Sequence, residues 1–367
     1  MYLPGRQAVG WPRGASGEPR PVEGALVLAC SLPSGYIRTL LPAYRREEGA
    51  PHLPLFGYAA VVFRRGKLYA AAVQTEANPR WDPSRYHGKD LKARIARRLK
   101  ASPENRVLRQ LAVCAVEYGC YNAQNVFHNR WEGAVPVSPA CNAVCRGCIS
   151  LQPDDMPASP QQRFDFVPTL EEIVEVGLEH LKAPEAIYSF GQGCEGEPLL
   201  RAELIARSIR AMREQTDQGC IHLNTNGSRP AGLKMVIAAG LDSIRVSLNS
   251  VLDEQYTTYY QPRNYSFADV AAGVRMAADN GLQVCLNYLV MPGWNDAEEE
   301  VEALVRFVHE QGVTMIQLRN LNIDPDLYAE WVRRPGGRVL GVPAMLARLK
   351  SECPALRLGN HTPFFQR

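Results

Sequence analysis

The sequence predicts an α/β protein: an open, partial barrel of six βα units, (β/α)6, behind a smaller N-terminal α+β domain. Three observations lead there. From about residue 135, short β-branched runs alternate with amphipathic helical stretches, the pattern of repeated βα units on a parallel sheet. Six such strands can be counted, with no clear seventh or eighth, which favours an open barrel over a closed eight-fold one. Charge divides the chain as well: residues 1–130 hold 20 Lys and Arg against 9 Asp and Glu, and the remainder 21 against 29. The expected organisation is a basic N-terminal domain (1–130), a mildly acidic barrel (131–330) and a C-terminal extension (331–367), since 367 residues exceed what one hydrophobic core normally organises.

Strand-like runs at 58–63 and 68–73 flank the charged turn Arg64-Arg65-Gly66-Lys67 and read as a hairpin. A basic helix follows at 90–100, with Leu91, Ile95 and Leu99 inward and Lys92, Arg94, Arg97 and Arg98 mostly outward. The barrel opens with a strand at 135–138. Thr169 and Glu172 then form a capping box ahead of Leu170, Ile173, Val174, Leu178 and Leu181 at helical spacing. A strand at 186–190, a glycine-rich loop and a helix around Leu204, Ile205, Ile209 and Met212 come next, then a strand at 220–224 and a short helix around Met235. A strand at 243–248 precedes a helix opened by Ser266 and closed by Gly281. A strand at 284–290, a helix presenting Val301, Leu304, Val305 and Val308 before Gly312, and a strand at 314–318 complete the count. Chemistry is expected at the C-terminal ends of these strands, where the loops of parallel α/β folds converge.

A hydrophobic share of 46% with 22% charged residues is that of an ordinary globular protein. No run reaches the roughly 18 apolar residues of a membrane-crossing helix, and residues 1–14 lack an apolar leader with a cleavage site. A cytoplasmic protein without membrane contact is expected. In a reducing compartment the ten cysteines call for metal binding or catalysis rather than disulfides. Seven are scattered, and three are clustered.

Cys141-Asn-Ala-Val-Cys145-Arg-Gly-Cys148 has the spacing C-x3-C-x2-C, just after the first barrel strand. Three thiolates so close together can bind three irons of a cubane and leave the fourth without a protein ligand. S-adenosylmethionine can chelate that open iron through its amino and carboxylate groups, and the cofactor then performs the radical chemistry while the protein orients the reactants. Structural zinc would want four ligands, and this cluster offers three with no adjacent histidine.

On this motif, over roughly residues 135–325, the chain resembles the radical S-adenosylmethionine superfamily. The resemblance implies a radical SAM barrel, a [4Fe-4S] cluster held by Cys141, Cys145 and Cys148, and S-adenosylmethionine as cofactor. It further implies an enzyme that forms a 5′-deoxyadenosyl radical and abstracts hydrogen from a substrate the sequence does not identify, peptide, protein or RNA among the classes considered. A one-electron reductant such as flavodoxin or ferredoxin would feed it. One departure is visible: many members carry an aromatic residue beside the adenine just before the third cysteine, and this chain has Gly147.

Gly191-Gln-Gly193-Cys194-Glu195-Gly196 also matches G-x-G-x-x-G, so a nicotinamide-binding reading stands beside the first. A Rossmann unit should present an acidic residue at the end of its next strand, and that strand here runs into Asn224-Thr225-Asn226-Gly227. The resemblance instead aligns Gly196-Glu197-Pro198 with the G-E-P element that meets the methionine ammonium. Gly193 belongs to the same loop, Glu195 is a rival acid, and Cys194 is a candidate hydrogen donor or extra ligand. By the same resemblance Asn224, Asn226, Ser247 and Asn249 approach the methionine carboxylate and ribose, and Asn287 and Met291 the adenine. Arg319, at the end of the sixth strand, is suited by its planar fork to clamp a carboxylate or phosphate of cofactor or substrate. Caps and turns are the competing explanation for the Asn and Ser residues. The basic N-terminal domain leaves a third reading open, a noncatalytic metal-containing RNA-binding protein.

Overall fold

The computed structural model describes residues 1–11 and 17–366; residues 12–14 of the stretch read for a leader lie outside them. Seven parallel strands form the main sheet: β1 (Glu132–Val135), β2 (Ile187–Phe190), β3 (Cys220–Thr225), β4 (Ser243–Leu248), β5 (Gln283–Val290), β6 (Met315–Asn320) and β7 (Arg357–Gly359). Each strand pairs with the next in the chain, so the sheet curls steadily as a partial barrel does. The first six are the expected strands. The seventh comes from the C-terminal extension, and its three residues are too short to carry a pattern in the sequence.

β1 ends where the expected strand was to begin. Pro136 has no N–H to give a ladder, and the amides of Val137 and Ser138 go instead to the Glu195 carboxylate, at 2.8 and 2.9 Å.

Helices alternate with these strands. α4 (Leu170–His180) starts at the expected Thr169–Glu172 capping box. α5 (Ala202–Arg213) and α6 (Pro230–Ala238) follow β2 and β3. α8 (Phe267–Asp279) opens with Ser266 and Asp269 capping one another, and α9 (Glu298–Gln311) closes at Gly312 with φ of 68°. Three helices carried no clear signal: α7 (Asp253–Tyr260), α10 (Pro325–Trp331) and α11 (Val342–Glu352). α7 reads as polar, yet it buries Tyr256, Tyr259 and Tyr260.

Ahead of the barrel, α1 (Leu91–Ala101), α2 (Arg106–Val116) and α3 (Tyr121–His128) pack into the barrel's own core, Leu108, Leu111 and Val126 joining Val135, Ile173 and Val176. The expected hairpin pairs Ala59–Arg64 with Lys67–Ala70. Arg65 and Gly66 at its turn both take positive φ, 49° and 76°, as a tight two-residue hairpin turn requires. A separate small cluster gathers Leu3, Val27, Ala29, Leu53 and Tyr58.

Two buried arginines fasten this N-terminal layer over the C-terminal ends of the barrel strands. Arg38 donates to the carbonyls of Leu321 at 2.8 Å and Val290 at 3.3 Å. Arg6 donates to Asp324 at 3.2 Å and Asp326 at 2.8 Å, and Asp324 also accepts from the Leu53 amide at 2.7 Å. Arg6 and Asp324 are both buried, and removing one partner of such a pair leaves an uncompensated charge. Arg6→Met should therefore lower stability by about 3–5 kcal/mol, read as an earlier urea unfolding transition; an unchanged midpoint would refute the clamp.

Candidate active site

A cavity of about 550 Å³ opens at the C-terminal ends of the strands, a size suited to a small molecule. Cys141, Cys145 and Cys148 all line it, as do Gly193, Gly196, Glu197, Pro198, Asn224, Asn226, Ser247, Asn287 and Arg319. Most residues picked out from the sequence thus meet in one place.

The cysteine loop is held from two sides. On one side α7 ends against it: the carbonyl of Tyr260 accepts from the Val144 amide at 3.0 Å, and that of Tyr259 from the Arg146 amide at 2.9 Å. On the other, the Glu195 carboxylate takes the amides just upstream, and with its second oxygen the Gln192 amide at 2.6 Å. Burial raises the Glu195 carboxyl to about 8, against the pull of these three amides. Gly196 lies so close that a Cβ there would stand 2.0 Å from the Ala140 carbonyl oxygen.

The donor chemistry fits an iron–sulfur cluster. Arg163 donates to the Cys148 sulfur at 3.4 Å, and the Ser150 hydroxyl lies 3.6 Å from it. Burial pushes the Cys145 and Cys141 thiols up, so the thiolate form needs a positive partner such as bound iron provides. Among the described residues no group of three His, Cys, Asp or Glu side chains is gathered tightly enough to hold one metal ion. Three cysteines of one short loop lining the same cavity suit a cubane, which spreads its irons over several corners.

Gly147 has a local cause: a Cβ at that position would meet the Tyr259 hydroxyl at 2.6 Å. Tyr259 and Tyr260 both line the cavity beside the cysteines, so aromatic surface arrives there from α7 rather than from within the motif.

The G-E-P loop does two structural jobs. Glu197 caps the turn that follows, accepting from the Leu199 amide at 2.9 Å, and it ties down the end of β3 through the Asn226 amide at 2.8 Å and the Thr225 hydroxyl. Its oxygens are therefore engaged by donors within the chain. A carboxylate of the loop itself occupies this helical N-terminus, where a dinucleotide fold would seat a pyrophosphate. Asn224 donates to the Gly191 carbonyl at 2.9 Å, and Asn226 donates to Asn142 in the cysteine loop at 2.9 Å.

Inside the barrel the inward positions are polar. Asn287 donates to Ser247 at 3.1 Å. Arg245 and Arg319 both reach Gln317, and burial, with Arg245 beside it, pulls the Arg319 guanidinium down to about 10.

Three expected site residues do not line the cavity. Cys194 is buried behind the loop near Cys114. Asn249 donates to the Gln255 carbonyl and the Tyr328 hydroxyl inside the core. Met291 is buried, its sulfur accepting from Arg38. Sequence reasoning missed Arg163, Arg245 and Tyr259, and the N-terminal Ser31–Ser34 segment that lines the cavity, whereas the C-terminal run from Asn360, which the sequence offers as a cover for the open barrel, does reach it through Asn360. No local pattern announces a contact between residues so far apart in the chain.

Residues 135–308, just under half of the chain, match the family model described as the Radical SAM superfamily. The family implies an enzyme that uses a [4Fe-4S] cluster and S-adenosylmethionine. Among curated relatives, the GTP 3′,8-cyclase of Erythrobacter litoralis (strain HTCC2594) is 30% identical over 52% of this chain and 55% of its own. That of Paenarthrobacter nicotinovorans is 31% identical over 53% and 51%. The FeMo cofactor biosynthesis protein NifB of Klebsiella pneumoniae is 24% identical over 50% and 42%. The chain thus spans about half the length of the curated relatives it matches. Among solved structures, methylornithine synthase (PylB) is 16% identical with a TM-score of 0.44, over 73% of this chain and 74% of that one. Streptococcus suis SuiB bound to S-adenosylmethionine is 11% identical with a TM-score of 0.43, over 70% and 54%.

Glu195→Gln replaces an acceptor oxygen with an amide donor, so at least one of the three amides it serves loses its partner, at about 1–3 kcal/mol for each one stranded. The expected result is a lower thermal midpoint and less iron retained per chain after anaerobic reconstitution. Wild-type values for both would remove Glu195 from the brace.

Proposed function

We propose that this enzyme cleaves S-adenosylmethionine reductively at a [4Fe-4S] cluster held by Cys141, Cys145 and Cys148, and abstracts hydrogen from a small substrate in the barrel lumen. The observation that carries this reading is the meeting of the three sulfurs and the polar barrel lumen in one cavity. When bound, the cluster and cofactor supply an electron and a 5′-deoxyadenosyl radical.

The chain's own residues bind, orient and shield. The loop from Gly193 to Pro198 offers close backbone approach for the methionine ammonium. Glu197 positions that loop, since its carboxylate is taken up by Leu199, Thr225 and Asn226. Asn224 and Asn226 hold β2, β3 and the cysteine loop in register, while Ser247 and Asn287 face the cavity with polar groups for the ribose and adenine. The Ser31–Ser34 segment lines part of the cavity, which narrows the access of water to a reactive intermediate.

A cavity of about 550 Å³ favours a small molecule over an RNA or a protein surface as substrate. The names of the relatives, a cyclase of GTP and a protein of FeMo cofactor biosynthesis, point in the same direction. A one-electron reductant such as flavodoxin or ferredoxin completes the system.

The test is anaerobic reconstitution. Wild-type protein should take up four irons per chain, as one cubane requires, and release 5′-deoxyadenosine when reduced with S-adenosylmethionine. Cys141→Ala, Cys145→Ala and Cys148→Ala should each lose cluster absorption and that product. Cluster-free protein that binds NADH with micromolar affinity would overturn the reading.

A further inference from the structure

Two guanidinium groups in the lumen share one neutral acceptor. Arg245 on β4 donates through Nη1 to Gln317 Oε1 at 2.9 Å and to the Thr362 hydroxyl at 3.2 Å. Arg319 on β6 reaches the same Gln317 oxygen through Nη2 at 3.3 Å and donates through Nη1 to Asn360 at 2.9 Å. Both arginines line the cavity that carries the three cysteines.

No carboxylate among the described residues approaches either guanidinium as an ion pair within 4.0 Å. Two acids are near enough to count. Glu132, buried below Arg245, accepts from the Ser189 hydroxyl at 3.1 Å, and Arg245 helps hold its carboxyl below the usual range. Glu76 is engaged by Arg357 at 3.3 Å and by the amides of Asn360 and His361 at 2.7 and 3.1 Å. Glu132, itself bonded to Ser189, is therefore the one acid of the two without an ion-pair partner of its own, and it faces two cations that converge on an amide oxygen carrying no charge. Like charges held together away from bulk water repel strongly, and an oxyanion bridging two guanidinium forks relieves that repulsion with short, charge-assisted bonds.

We propose that the substrate of this enzyme carries an oxyanion, a phosphate or carboxylate group, that Arg245 and Arg319 grip together inside the barrel. This rests on the reading that the cavity is a radical S-adenosylmethionine active site.

The experiment is calorimetric titration of iron-loaded protein, with S-adenosylmethionine present, using inorganic pyrophosphate in one arm and succinate in the other. Cluster-free protein is titrated in parallel. One of the two probes should bind, and which one does assigns the phosphate or carboxylate class. Arg245→Gln and Arg319→Gln should each weaken it at least tenfold, while S-adenosylmethionine affinity stays within about twofold of wild type, tenfold corresponding to 1.4 kcal/mol. Arg319→Lys keeps the charge and loses the fork, so it should fall between. Failure of both probes to bind, or wild-type affinity in both Gln variants, overturns the proposal. Loss of S-adenosylmethionine affinity with anion binding intact overturns it too, by assigning the arginines to the cofactor. A wild type that takes up no iron brings down the functional reading by itself, whereas iron-loaded protein that binds S-adenosylmethionine and neither anion brings down this inference alone.

Discussion

The arrangement depends on how the cysteine loop is kept in place. Such a loop has no ladder of its own, so its amides must find acceptors elsewhere. Val137 and Ser138 find the Glu195 carboxylate, and Val144 and Arg146 find carbonyls at the end of α7. These four contacts link β1, the loop after β2 and the helix after β4 into one frame. The loop that carries the three thiols is thereby fixed by contacts within the chain, which reduces the ordering that cluster binding would otherwise require.

The polar lumen is the second consequence of the same architecture. A closed eight-stranded barrel fills its interior with branched apolar side chains. Here the inward positions carry Ser189, His222, Asn224, Arg245, Asn287 and Gln317, and the apolar core sits instead between the sheet and its helices. Burying so many polar groups is tolerable because they bond to one another, as His222 does to Ser243 at 2.6 Å and to Asn224 at 3.2 Å.

Much of this was legible in the residues because the signals were local. The β-branched run at 243–248 coincides with β4, and the caps at Thr169, Ser266 and Gly312 bound their helices as expected. Where the contact is long-range, legibility fails. Glu195 and Glu197 look equivalent in the string Cys194-Glu195-Gly196-Glu197, yet one braces the strand before the cysteines and the other the end of β3. Cys194 sits in the most suggestive position of the glycine loop and turns away into the core. α7 stayed hidden because its tyrosines are amphipathic and sit among polar neighbours.

The notch at Gly147 carries an evolutionary implication. The volume a side chain would need there is held by the Tyr259 hydroxyl, so a large residue at 147 and a tyrosine at 259 exclude one another. Lineages that place their aromatic surface within the cysteine motif should pair it with a small residue at the end of the helix after β4. The two positions would then drift as a coupled pair, their substitutions appearing together along the branches of a family tree.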